Sequence, residues 1–263
     1  MLRARVYPAD CSRRVLVTLR LRASGLDAVL LDIEGTTTPL AFVHEALFPF
    51  ARRALEPFVR AHVDRHEFAA VVQRLRAEWR TDSARGDTPP AWPDEFSGEE
   101  QSSGIVRYAQ WLMDRDRKAP GLKELQGLIW QRGYEEGALR GDVFADVPDA
   151  LRRWHDSGVT IAIYSSGSVL AQQLLFRSTP FGDLTPFIDA YFDTSVGAKR
   201  EAESYRTIAE RLGKPPARCL FISDLPAELA AARAAGLRAI LSVRPGNAPA
   251  NDAESIRDFI GIV

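Results

Sequence analysis

Two apolar runs that read as buried strands, residues 28–31 and 159–164, stand far apart in this chain, with residues 33–158 between them. A crossover between neighbouring parallel strands needs one helix and two short loops. An interval of this length must therefore contain a folded unit of its own. Further apolar runs lie at 219–222 and 239–243, with a weaker one at 188–192. Segments of helical period at 169–176, 202–212 and 227–235 separate them, and the last stops at Gly236, a residue suited to closing a helix. Strand alternating with helix predicts an α/β fold, a parallel sheet with helices on both faces.

The long interval reads as helix over 43–62, 65–80, 101–117 and 122–133, broken by a proline-rich loop at 82–94. The expected organisation is a helical domain at 42–139 inserted into a sheet core built from 26–41 and 140–263. Trp79, Trp92, Trp111 and Trp130 fall inside the interval, and with Trp154 they read as core residues. Residues 1–25 carry six arginines against one acid, Asp10, a composition shared with transit peptides. The simpler expectation is a dispensable basic extension. The stretch 157–176 lacks charge, but Tyr164-Ser165-Ser166-Gly167-Ser168 interrupts it, so strand, polar turn and helix are expected rather than a membrane span.

A net charge of −1 asks for no nucleic acid or anionic membrane partner. Two cysteines, Cys11 and Cys219, are too few for a disulfide framework and fit a reducing compartment. A cytoplasmic monomer acting on a small molecule is expected.

In open parallel sheets, ligands bind outside the carboxyl ends of the strands. Three polar groups stand at such ends. Asp32 and Glu34 follow the first strand, Ser165 and Ser166 the second, Ser223 and Asp224 the run at 219–222. Lys199 lies in the connection between the second and third. Each alone has a plainer reading. Asp224 could cap the helix that starts at Pro226, Glu228 could be a first-turn acid, and the serines could cap the next helix. Lys199 beside Arg200 reads as a solvated charge. Asp32 resists such a reading, because an acid fused to a buried strand must be paired or metal-bound. Together the groups suit phosphoryl transfer. Oxygen ligands without histidine or cysteine fit Mg²⁺, serine and lysine donors fit a phosphate, and a carboxylate can attack phosphorus. No GxGxxG, Walker loop, GxSxG or HExxH competes.

The four clusters in this order resemble the haloacid dehalogenase superfamily of phosphohydrolases. Glu34 departs from the aspartate usual two residues after the nucleophile. That departure, with DIEGTTTPLAFVHEALFP (32–49), LQGLIWQRGYEEGALRGDVFADV (125–147), YSSGS (164–168) and YFDTSVGAKREAESY (191–205), is similar to the enolase-phosphatases of methionine salvage. The resemblance spans about residues 28–236. It implies a Rossmann-like core with a helical cap, and a Mg²⁺-dependent hydrolase. The substrate it implies is 2,3-diketo-5-methylthiopentyl-1-phosphate, first enolised and then dephosphorylated to the acireductone. It further implies Asp32 as nucleophile, Ser165, Ser166 and Lys199 as substrate contacts, and Asp32, Glu34 (through its backbone carbonyl) and Asp224 as metal ligands. Glu34 is also a candidate for moving a proton in the enolisation, and His44 and Glu45 lie close by in sequence. A generic Mg²⁺-dependent phosphatase of another small ester shares the same motifs.

Overall fold

A computed structural model describes residues 19–92, 98–250, 252 and 254–263. Most of the arginine-rich start, with Cys11, lies outside the described residues, as does part of the proline-rich loop. Six strands form one parallel sheet: β1 (Ala28–Leu31), β2 (Thr160–Tyr164), β3 (Ala190–Phe192), β4 (Cys219–Ser223), β5 (Arg238–Ser242) and β6 (Ser255–Ile256). Their order is β3-β2-β1-β4-β5-β6, so β1 is central. Its Leu31 is level with Ile163 of β2 and Ile222 of β4. Asp32, Ser165 and Asp224 therefore leave the sheet side by side at its carboxyl edge.

The pleat of β1 sends Val29 and Leu31 to one face and Ala28 and Leu30 to the other. On the first face they meet Leu151 and Trp154 of α5 (Val147–Asp156) and Phe176 of α6 (Val169–Arg177). On the second they meet Tyr205 and Ile208 of α7 (Ala202–Arg211) and Leu229 of α8 (Pro226–Ala234). Burial on both faces is why these strands read as unbroken apolar runs. The strands at 188–192 and 239–243 begin and end within two residues of expectation. The short β6 has no signal of its own, and α5 was not among the expected elements. Its apolar residues Val147, Ala150, Leu151 and Trp154 nevertheless carry helical spacing.

Between β1 and α5 the chain makes a six-residue π-helical segment (Phe42–Leu47) and four helices: α1 (Phe48–His62), α2 (Ala69–Ala84), α3 (Gly98–Asp114) and α4 (Pro120–Glu135). These enclose an apolar cluster of their own, with Leu55, Leu75, Ile105, Leu112, Leu125 and Trp92 at its centre. The bundle sits over the carboxyl edge of the sheet, and α4 packs on α6. The stretch without charge is β2, a turn and α6. No helix among the described residues is long and apolar enough to cross a membrane.

Leu19–Gly25, the described part of the expected extension, is tied to the end of the chain. The Leu19 and Leu21 amides donate to Gly261 and Val263 at 2.8 and 2.7 Å, and Leu21 is buried in the sheet core.

Candidate active site

Asp32 is held where the sheet ends. Its amide continues the ladder to the Ile222 carbonyl at 3.0 Å, and its side chain is 5% exposed. Oδ1 accepts from the Ile33 amide at 2.8 Å and from Lys199 Nζ at 2.7 Å. Oδ2 lies 2.9 Å from Ser223 Oγ. The same hydroxyl is 3.0 Å from Glu228 Oε2, so its single proton serves one carboxylate at a time.

Lys199 is not the solvated charge its neighbourhood in sequence suggests. Its side chain is only 10% exposed, and its ammonium bridges Asp32 and Glu228 Oε2, each at 2.7 Å. Burial works against the charged lysine, but the two carboxylates outweigh it and its pKa is pushed up to about 12. Burial, then the Asp32 charge, raises the Glu228 pKa as well, to about 7. The loop carrying Lys199 is pinned by three hydroxyls. Tyr164 donates to the Gly197 carbonyl at 2.9 Å, Ser204 to Ala198 at 2.7 Å and Tyr205 to Lys199 at 2.7 Å.

Glu34 and Asp224 meet across the turn that follows β1. The Ile33 carbonyl accepts the amides of Thr36, Thr37 and Thr38, folding the segment back on itself. Gly35 sits in this turn at φ +66°, where a Cβ would lie 2.6 Å from Asp224 Oδ2 and 2.7 Å from Asn247 Oδ1. Glycine is thus required twice, for the left-handed backbone and for the close approach. Burial, then the Asp32 charge, raises the Asp224 pKa to about 7. Burial, then Asp32, also raises Glu34, with Lys118, Lys199 and His44 pulling the other way. Asp224 does not cap α8, whose cap position is Leu225 and carries no side-chain bond. Ser168, not Ser165 or Ser166, caps α6, accepting from the Ala171 amide at 3.3 Å. Ser165 Oγ accepts from the Gly167 amide at 3.2 Å, which leaves its proton free to donate into the clefts that Ser165 and Ser166 line.

Two cavities meet at this edge. One, of about 490 Å³, is lined by Asp32, Ser165, Ser166, Lys199, Asp224 and Glu228, and bears the polar chemistry. The other, of about 430 Å³ and mostly apolar, opens between bundle and sheet against Val43, Leu47, Met113, Leu122 and Trp130. Glu34, Ser165 and Ser166 border both, so the structure brings together all six expected residues: Asp32, Glu34, Ser165, Ser166, Lys199 and Asp224. His44 lines only the apolar cavity and Glu45 neither.

Three contributors escape the sequence reading. Asn247 donates to the Gly35 and Ser242 carbonyls at 2.9 and 3.1 Å and holds the turn from behind. Arg244, 5% exposed, grips Asp146 with two bonds at 2.8 and 2.9 Å and donates to the Thr36 carbonyl at 3.1 Å. Lys118, from the loop between α3 and α4, reaches the border of the two cavities. Single polar residues in loops carry no periodic signal that would single them out.

The donor set fits a hard divalent cation. Asp32, Asp224 and the main chain at Glu34 offer only oxygen, and burial, then the Asp32 charge, raises the Asp224 pKa, a strain that a cation between the carboxylates would relieve. Asn247 Oδ1 is buried beside them with no partner among the described residues. Among the described residues, no three His, Cys, Asp or Glu side chains converge on one metal position.

The family profile of the haloacid dehalogenase-like hydrolases matches residues 26–236. The enolase-phosphatase E1 of Synechococcus elongatus is 50% identical over 223 residues, covering 85% of this chain and 91% of that protein. That of Sorangium cellulosum is 51% identical over 228 residues, covering 87% and 91%. A Vitis vinifera protein named as a probable bifunctional methylthioribulose-1-phosphate dehydratase/enolase-phosphatase is 44% identical over 227 residues, covering 85% of this chain and 44% of that one. The crystal structure of the UTR4 protein of Saccharomyces cerevisiae superposes with a TM-score of 0.71 at 32% identity, covering 89% of this chain and 99% of that one.

Proposed function

This chain belongs to the enolase-phosphatase E1 family of haloacid dehalogenase-like hydrolases, and on that footing we propose that it enolises 2,3-diketo-5-methylthiopentyl-1-phosphate and then removes its phosphate, in methionine salvage. The name of the two-part Vitis vinifera relative, which joins a methylthioribulose-1-phosphate dehydratase to an enolase-phosphatase, supports that place for the reaction. The observation that carries the reading is the junction, at Glu34, Ser165 and Ser166, of a cavity lined mainly by charged and hydroxyl side chains with a mostly apolar one. A phosphate at one end of the substrate and a methylthio tail at the other match that division.

The phosphate binds in the polar cavity, where Lys199 balances its charge and the Ser165 and Ser166 hydroxyls donate to its oxygens. Asp32 attacks phosphorus through one carboxylate oxygen; the bond from phosphorus to the substrate's C1 oxygen breaks, that oxygen takes up a proton, and water then cleaves the aspartyl phosphate to free phosphate and Asp32. Glu228 keeps Lys199 in place when Asp32 is esterified, because it holds the ammonium at 2.7 Å independently. Asp32, Asp224 and the Glu34 carbonyl would hold Mg²⁺, which supplies charge neutralisation at the phosphate and polarises a neighbouring carbonyl. The helical bundle, residues 42–139, acts as the cap that covers the tail and keeps water from the enol, while 26–41 and 140–263 form the core.

Asp32→Asn should abolish phosphate release from the diketo phosphate while the thermal midpoint stays within a few degrees. Turnover retained in that variant would sink the assignment of the nucleophile. With the unaltered protein, enediol absorbance and phosphate release should rise together. Phosphate release from many simple esters with no enol would point to a generic phosphatase instead.

A further inference from the structure

We infer that Lys118 is the residue that holds the substrate's reacting carbonyl and stabilises the enolate formed there. This rests on the enolase-phosphatase reading above. Six cations border the two cavities. Arg52, Arg117 and Lys123 line only the apolar one, and Lys199 and Arg200 only the polar one. Lys118 lines both, with Glu34, Ser165 and Ser166. A substrate with its phosphate in one cavity and its tail in the other must place its dicarbonyl at this border. Lys118 is the one group of the four that comes from the bundle, so it approaches from the side opposite Asp32 and Ser165.

Its neighbours are spoken for and it is not. Arg117 is tied to Asp82 Oδ1 at 2.8 Å, and Asp82 is itself buried against the Tyr108 hydroxyl at 2.7 Å. Lys123 Nζ donates to Thr194 Oγ1 at 3.1 Å, and Lys199 bridges its two carboxylates. Lys118 faces Glu34 electrostatically but makes no ion pair with a described residue. The backbone that presents it is constrained. Asp116 sits at φ +47°, an uncommon conformation for a residue with a Cβ, Arg117 is anchored, and α4 starts at Pro120, two residues after Lys118. A strained, anchored loop that carries one uncommitted ammonium into a junction of cavities is a device for presenting that charge.

The step balances as a tautomerisation. A base removes a proton from C1, the carbon that bears the phosphate ester. The C1–H electron pair becomes the C1=C2 double bond, and the C2 carbonyl π pair moves onto its oxygen. That oxygen takes up a proton, so nothing is oxidised or reduced. The Lys118 ammonium donates a hydrogen bond to the C2 oxygen, and the bond strengthens as negative charge gathers there. Lys199 cannot do this while it serves the phosphate.

The test compares Lys118→Met and Lys118→Arg with the unaltered chain, each with Mg²⁺. Enediol absorbance is followed with the diketo phosphate, and phosphate release with p-nitrophenyl phosphate, which has no carbonyl to enolise. In Lys118→Met the ratio of the enolisation rate to the aryl phosphate hydrolysis rate should fall about 100-fold, the loss typical of one oxyanion donor. Lys118→Arg, which keeps a charged donor, should recover part of it. An equal fall in both reactions would mean that Lys118 only shapes the bundle, and an unchanged ratio would remove it from the chemistry; either overturns the assignment. If the unaltered chain forms no enediol from the diketo phosphate, the functional reading falls first and this assignment with it.

Discussion

The turn after β1 is fixed by a single hydrogen atom, the one that glycine carries in place of a side chain at position 35. A methyl group there would press on both Asp224 Oδ2 and Asn247 Oδ1, and neither is the loose end of a flexible chain. Gly35→Ala should therefore cost about 1 kcal/mol for its left-handed backbone and, by displacing Asp224, lower kcat about 100-fold. Gly213→Ala is the matched control. Gly213 has φ +65° with open space around it, just beyond α7, so it bears the same backbone cost and leaves activity intact. Equal activity in the two variants would show that the approach of Asp224 to the turn does not matter. Asp32, Ser165 and Asp224 were legible in the sequence because each stands immediately after a strand, where the fold itself supplies the meaning. Lys199 was legible only as a member of that set, since nothing beside it in sequence shows that Asp32 and Glu228 will close around it. Asn247 and Arg244 could not be read at all. Each acts by gripping backbone carbonyls of a turn more than 200 positions away, as in the 2.9 Å bond from Asn247 to Gly35, and that pairing exists only once the sheet has formed.

Elements were legible in proportion to how much apolar surface they bury. The central strands, buried on both faces, start and end within about a residue of where their apolar runs do. The two-residue β6 is held by neighbours and leaves no pattern. The segment at Leu19–Leu21 shows the same limit from the other side. Its arginine-rich surroundings read as an extension, yet Leu21 is 1% exposed and the Leu19 and Leu21 backbone pairs with Gly261 and Val263. This strap closes the sheet core next to Trp154, whose indole donates to the Ile262 carbonyl at 3.0 Å. Leu21→Ala should lower the unfolding free energy by about 3 kcal/mol, measured by urea titration of the full chain. A loss under about 0.5 kcal/mol, the range of an ordinary surface substitution, would mean that the strap adds nothing to the core and that the extension is dispensable up to residue 25.

At the scale of the whole molecule, the site exists because two separately packed bodies of apolar side chains approach each other over the sheet edge. The interval of residues 33–158 announced the second body, but not where it would lie, because side-chain periodicity specifies a face to be buried and not the partner that buries it. The approach is set where α4 meets α6. Gly127 of α4 faces Leu170 and Ser168, and a Cβ there would sit 3.6 Å from Leu170 Cδ2 and 3.7 Å from Ser168 Oγ, ordinary contact distances. Gly127→Ala should therefore fit without moving either helix, and should stabilise α4 by up to about 1 kcal/mol by removing the flexibility of a mid-helix glycine. Gly127→Leu adds three further carbons against Leu170 and Ser168, and should push bundle and sheet apart. Its expected signature is a split. Each apolar cluster stays folded, so the far-ultraviolet dichroism is retained. Turnover of the diketo phosphate falls about 10-fold or more, because Lys118 and the apolar wall retreat from Asp32 by a fraction of an ångström to an ångström. Were Gly127→Leu to turn over normally, the distance between the two bodies would not be what assembles the site, and the border where the cavities meet would have to form in some other way.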